Sequence, residues 1–170
     1  MREMITKSTP LSKVLELGKE CRKCGHCCRH GTGFLAGDDA KKIAKFLGIT
    51  GNELIEKYLE PATKFNTTLF RPKSIKGKKP YGACVFYDKE CKIQGVKPLQ
   101  CRIGNCNEYG EELSVWFDLN YFVNENDPQS IREWKIYLES GGKNISGGML
   151  KELVPDSKKL KKILSYEVLK

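Results

Sequence analysis

The chain has 170 residues, 39% hydrophobic and 30% charged, with a formal net charge of +9. That length suits one domain with a real core, over residues 1–170, rather than two. No apolar run approaches a membrane span, and the start, Met1-Arg2-Glu3-Met4-Ile5-Thr6-Lys7, lacks the apolar region of a secretion signal, so the expected compartment is the cytoplasm.

Residues 11–20 have helical periodicity and lead into Cys21-x-x-Cys24-x-x-Cys27-Cys28. Gly25 lies inside this run, and Gly31 and Gly33 follow it, which suits a loop wrapped tightly round a centre. A helix is expected over 38–47, capped by Asp38 or Asp39, with Ile43, Ala44 and Leu47 on one face and Gly48 at its end. A second is expected after Thr50, running to about Leu59 and stopped by Pro61. Residues 62–80 form a basic connector with a short strand at Thr67–Phe70. Residues 84–93 read as a hairpin with one thiol, Cys84 or Cys91, on each arm. Lys97-Pro98-Leu99-Gln100-Cys101-Arg102 and then Cys106 complete the thiols. Downstream, Asp127-Pro128 opens a helix with Ile131, Trp134, Tyr137 and Leu138 on one face, ended by Gly141-Gly142. Residues 156–169 form a basic amphipathic helix with Leu160, Ile163, Leu164 and Val168 inward. The expected architecture is α+β, mainly helical, with a small β-hairpin and an irregular metal-organised cysteine core over 20–106, extended by helices over 107–170.

Eight cysteines are the chemically informative feature. In a reducing compartment paired thiols hold metal or do redox work, although a disulfide framework stays open for a hyperthermophile. Zinc and iron–sulfur clusters each normally take four protein ligands, so eight thiols allow two sites by count. Cys27 and Cys28 are adjacent, and their diverging side chains point to different sites or leave one as a spare. The simple partition gives Cys21, Cys24 and Cys27 one downstream ligand, and joins Cys28 to the rest. Two such centres would reduce the net charge to roughly +5.

The three-step spacing of Cys21, Cys24 and Cys27 is ferredoxin-like, and the downstream gaps of six, nine and four residues are not two zinc knuckles. An iron–sulfur cluster, 4Fe–4S in particular, is therefore favoured over zinc. His26 is a further candidate ligand, whereas His30 reads as a polar loop residue. Arg29 and Arg102, each beside a cysteine, can offset thiolate charge. Asp38, Asp39, Asp88 and Glu90 are the acid–base candidates near the thiols, better explained as caps and turn residues, and no nucleophile–base pair stands out.

The residues Cys21-Arg22-Lys23-Cys24-Gly25-His26-Cys27-Cys28-Arg29, the capped helix at 38–47, Cys84-Val85-Phe86-Tyr87 with Cys91, and Lys97-Pro98-Leu99-Gln100-Cys101-Arg102 resemble the YkgJ-type cysteine-cluster family of zinc- or iron-chelating proteins. The resemblance covers roughly 20–106 and implies metal binding without naming a reaction. One branch is associated with flagellin lysine N-methylase, but this chain has no glycine-rich S-adenosylmethionine loop after a strand. Lys97 stands where the family commonly has Arg, and Cys106 is an addition to the pattern.

Three functions follow. The first is a cluster-binding protein in a redox or electron-transfer role, alone or with a larger redox enzyme. The second is a zinc-stapled module whose basic surface meets a protein partner or, more weakly, nucleic acid. The third is a metal-dependent enzyme, which needs an open coordination position.

Overall fold

Periodic apolar residues and local capping account for the regular elements in the computed structural model, which describes residues 1–19, 21–104 and 106–168. Helix α1 (Leu11–Leu17) is followed by α2 (His26–His30) and α3 (Asp39–Leu47). Helix α3 buries Ile43 and Ala44 and ends at Gly48, whose φ of 67° lets its N–H reach back to Ala44 and Lys45. Helix α4 (Gly51–Tyr58) starts with a reciprocal cap: Glu53 N–H donates to Thr50 Oγ1 and Thr50 N–H to the Glu53 carboxylate.

The helix ends at Tyr58, and at Leu59, its expected end, the chain is already extended and enters strand β1 (Leu59–Lys64). Pro61 thus ends α4 from within a strand, where a two-stranded ribbon tolerates its missing N–H. β1 pairs antiparallel with β2 (Thr67–Pro72) through a turn at Phe65 and Asn66, both at positive φ. Two smaller ribbons follow: β3 (Ser74–Lys76) with β4 (Gly82–Cys84), and β5 (Tyr87–Asp88) with β6 (Glu90–Cys91). The expected single hairpin carrying Cys84 and Cys91 is therefore divided. Phe86 turns inward, 3% exposed and stacked on Tyr58, and breaks the strand between the two thiols. With 42% of the residues helical and strands only in such ribbons, the fold is α+β and mainly helical.

After a 3-10 turn at Gln94–Val96 comes the short α5 (Leu99–Arg102), then α6 (Gly110–Phe117), which runs into a π-helical turn at Asp118–Phe122. Helix α7 (Pro128–Glu139) has Asp127 accepting from Gln129 N–H and Pro128 at its first position. Helices α8 (Leu150–Leu153) and α9 (Ser157–Leu164) close the described chain. α9 stops short of the expected end. Tyr166 adopts a positive φ, and Arg132 takes the carbonyls of Ile163 and Val168; residue 169 lies outside the described residues.

Two apolar clusters result. The larger gathers Ile5, Val14, Phe65, Leu99, Ile103, Trp116, Phe117, Phe122, Trp134 and Ile163, among others. The smaller holds Leu35, Ile43, Leu54, Leu59, Phe86 and Ile93, with Cys84 and Cys91 packed against it. The thiol-bearing loops lie along these clusters. Among the described residues no helix is long and apolar enough to cross a membrane.

Candidate metal centre

The N-terminal thiols are set by a loop with two left-handed residues, Lys23 (φ 53°) and Gly25 (φ 71°). A Cβ on Gly25 would stand 2.2 Å from the Tyr87 hydroxyl, so glycine is needed both for the φ and for the seat on β5. Arg29 ties the loop down: its Nη2 donates to Cys24 O at 2.9 Å and its Nε to Gly25 O at 3.2 Å. Cys27 and Cys28 are successive residues of α2, about 100° apart round its axis, yet their side chains share a hydrogen bond. Downstream, Cys84 ends β4, Cys91 ends β6 and Cys101 sits in α5.

These loops enclose a cavity of about 310 Å³. Seven of the eight thiols line it: Cys21, Cys27, Cys28, Cys84, Cys91, Cys101 and Cys106. All eight cysteines are free, and Cys24 and Cys27 are exposed. Two stretches separated by more than fifty residues therefore meet at one place.

The charge interactions tie Cys28, Cys84, Cys91 and Cys101 together and Cys106 to the N-terminal thiols, with Cys27–Cys28 and Cys21–Cys91 linking the two groups. Burial pushes Cys101 up to about 12, reinforced by Cys84, Cys28 and Cys91. Burial likewise raises Cys28 to about 11, with Cys27, Cys91 and Cys84 adding to it. Cys84 is raised by burial and by Cys91. Cys91 is raised by burial and, more weakly, by Cys21. Cys28, Cys84, Cys91 and Cys101 thus all act on one another. Cys106 is raised by burial and then by Cys27, Cys24 and Cys21, with a side-chain hydrogen bond to Cys24.

The surroundings suit thiolate-bound metal. Backbone N–H groups of Phe86 and Ile93 donate to the sulfurs of Cys84 and Cys91 and favour their ionised forms. Lys97 favours the ionised forms of Cys91 and Cys101. A Cβ on Gly33 would come within 2.3 Å of Cys101 Sγ, so a bare backbone is required there. Among the described residues no three His, Cys, Asp or Glu side chains stand in finished ligand geometry: the thiols share a cavity without converging on one point.

Asp39 differs from its expected capping role. It is 2% exposed, and Oδ2 accepts from Ala36 N–H (2.9 Å) and Leu99 N–H (2.7 Å), while Oδ1 accepts from Arg102 Nη2 (2.8 Å). The carboxylate joins the start of α3 to α5, the element of Cys101. Arg102 therefore serves this ion pair. His26 is exposed at the start of α2, outside the cavity lining, and its carbonyl meets His30 Nδ1 at 2.8 Å. Asp88 and Glu90 are exposed on the β5–β6 ribbon, and Asp38 makes no side-chain cap. Sequence reasoning placed Gly33 in a tight loop but not against Cys101, and it missed the second role of Asp39, because each depends on a contact sixty or more residues away.

The chain is similar to "Uncharacterized protein MJ0661" of Methanocaldococcus jannaschii, with 37% identity over 86 residues, which is 49% of this chain and 42% of that protein. It therefore spans less than half the length of this relative. No solved structure matches it. The family model CxxCxxCC, described as "Putative zinc- or iron-chelating domain", matches residues 20–127, and the chain belongs to this family.

Proposed function

We propose that the protein holds two four-thiolate centres and uses them in a redox or electron-transfer role, with iron–sulfur clusters as the occupants. Cys28, Cys84, Cys91 and Cys101 form an inner centre; Cys21, Cys24, Cys27 and Cys106 form an outer one. The carrying observation is the cavity lined by seven thiols drawn from both halves of the chain, in which Cys28, Cys84, Cys91 and Cys101 all act on one another and Cys106 hydrogen-bonds to Cys24. Each set meets the usual count of four. The usual limit of four protein ligands per centre supplies the division, with Cys27 and Cys28 at its boundary, and Cys106 is the downstream ligand that completes the outer set.

Iron–sulfur clusters are favoured by the three-step spacing and by the N–H donors to Cys84 and Cys91, since hydrogen bonds to sulfur help to set a cluster's potential. Bound clusters would supply reversible one-electron chemistry. The chain's part is to hold the thiolates, direct N–H groups at two of them, place Lys97 near the inner set, and leave the Cys24–Cys27 edge open to a redox partner protein.

Anaerobic purification with metal, sulfide and spectral analysis tests the reading. Iron with acid-labile sulfide, and a visible charge-transfer band that bleaches with dithionite, are the expected results. Colourless protein with stoichiometric zinc would leave only a metal-stapled module.

A further inference from the structure

The two sets are held in place by different means. Both exposed thiols, Cys24 and Cys27, belong to the outer set. Between residues 21 and 30 only Gly25 is buried, and no side chain there enters either apolar cluster. Arg29 and the His26–His30 contact brace that segment internally, while the Gly25 seat on Tyr87, the His30 ring against Tyr81 at 5.4 Å and α2 lying along β4 join it to the rest.

The inner set has firmer support. Cys84 and Cys91 pack on the smaller cluster. Cys101 lies between Leu99 and Ile103, which are 2% and 1% exposed, on a helix pinned to α3 by Asp39. Freeing Cys21, Cys24 and Cys27 needs local opening of a segment with few buried apolar contacts. Freeing Cys84, Cys91 and Cys101 means disturbing both clusters, and local opening is far easier where such contacts are few.

We infer that the outer quartet, Cys21, Cys24, Cys27 and Cys106, is an exchange site that takes up metal and passes it to thiols of another molecule, while the inner quartet keeps its metal and holds the fold. This rests on the two-centre reading. In each exchange an acceptor sulfur bonds to the metal as one of these cysteines leaves. The proton lost by the acceptor thiol ends on the departing cysteine, and no electron changes hands. Cys28 remains tied to the inner centre throughout, so α2 stays tethered while the outer thiols open.

Zinc alone is a sufficient probe. Full-length protein loaded anaerobically with zinc is mixed with excess 4-(2-pyridylazo)resorcinol and, separately, with a synthetic four-cysteine peptide. Two equivalents leave in two phases, with rates separated by on the order of 100-fold, and the peptide takes only the fast one. Cys24→Ser abolishes the fast phase and leaves the slow equivalent in place. Maleimide labelling of the loaded protein, read by mass spectrometry, reaches Cys21, Cys24, Cys27 and Cys106 first. Release of both equivalents in one phase, or labelling that ignores the division, overturns the exchange site while leaving two centres. A single bound equivalent overturns the two-centre reading and the exchange site together.

Discussion

The thiol-bearing side of this protein and its helical side are ordered by different forces. From α6 to α9 the chain packs aromatic and aliphatic side chains densely: Phe117, Ile131 and Trp134 are fully buried, and Trp134 stacks on Tyr137 at 4.6 Å with Phe65 edge-on at 5.1 Å. Residues 21–34 bury only Gly25, and residues 74–84 bury none. What orders them is the backbone pairing of β3 with β4, the bonds that Arg29 and His30 make to nearby carbonyls, and the gathering of thiols round one cavity. The helical side can stand on its apolar area. The thiol side depends on what its sulfurs hold, because a metal site absent from the unfolded chain turns binding energy into folding energy.

The sharpest way to break this contrast is to remove one inner sulfur. On the proposed two-centre reading, Cys101→Ser should lose the metal assigned to the inner set and several of the ~10 kcal/mol that a structural tetrathiolate can supply. Hydrogen exchange reads the outcome: amides over 82–104 become fast while those of α7 stay protected. Equal loss of protection in α7 would show a single cooperative unit and end the distinction. Next in size is Asp39→Ala. It strands the N–H groups of Ala36 and Leu99 and leaves Arg102 without its buried partner, a loss of about 3–5 kcal/mol by urea unfolding. Asp39→Asn, which keeps an acceptor oxygen, should fall between it and the wild type.

The same contrast explains what could be read from the sequence. Thr50 with Glu53, Asp127 with Pro128, and the apolar faces of α3 and α7 act within a few residues, so capping and periodicity reveal them. Helix α6 escaped because its polar residues, Glu111, Glu112 and Ser114, stop before an unbroken buried run from Val115, which hides the period. β1 escaped because Pro61 argues for a stop and not for a strand. At the site, thiol spacing singled out cysteines of which seven line one cavity, but not their neighbours. Cys101 against Gly33, and Asp39 against Leu99, are contacts between distant segments with no local pattern.

Gly33→Ala sharpens the comparison at smaller cost. The added methyl meets Cys101 Sγ at 2.3 Å, so the thiol or the loop must shift. The expected loss is about 1–3 kcal/mol, together with weaker metal retention at the inner centre by chelator competition. Ala at Gly31, which has nothing within 4 Å of its Cβ, is the matched control and should leave retention unchanged.

The smallest effect belongs to the helical side. Asp118 opens the π-helical turn at 3% exposure; Oδ2 accepts from Lys64 Nζ at 2.6 Å, while Oδ1 has no partner among the described residues. Burial raises its pKa, against the opposing pull of Lys64. A carboxyl raised above its unfolded value of 3.8 contributes stability that is fully present below 3.8 and lost as pH rises through the folded value. At neutral pH the buried charge is therefore a liability, and Lys64, 41% exposed, can turn to water without it. Asp118→Asn should gain about 1 kcal/mol at pH 7, and the gain should vanish below pH 3.8. Urea unfolding of metal-free protein, followed by tryptophan fluorescence, measures both. Zinc loading at neutral pH should not change, because this carboxylate supports packing and not the sulfurs. A variant less stable than the wild type at pH 7 would mean that the Lys64 bridge outweighs the burial.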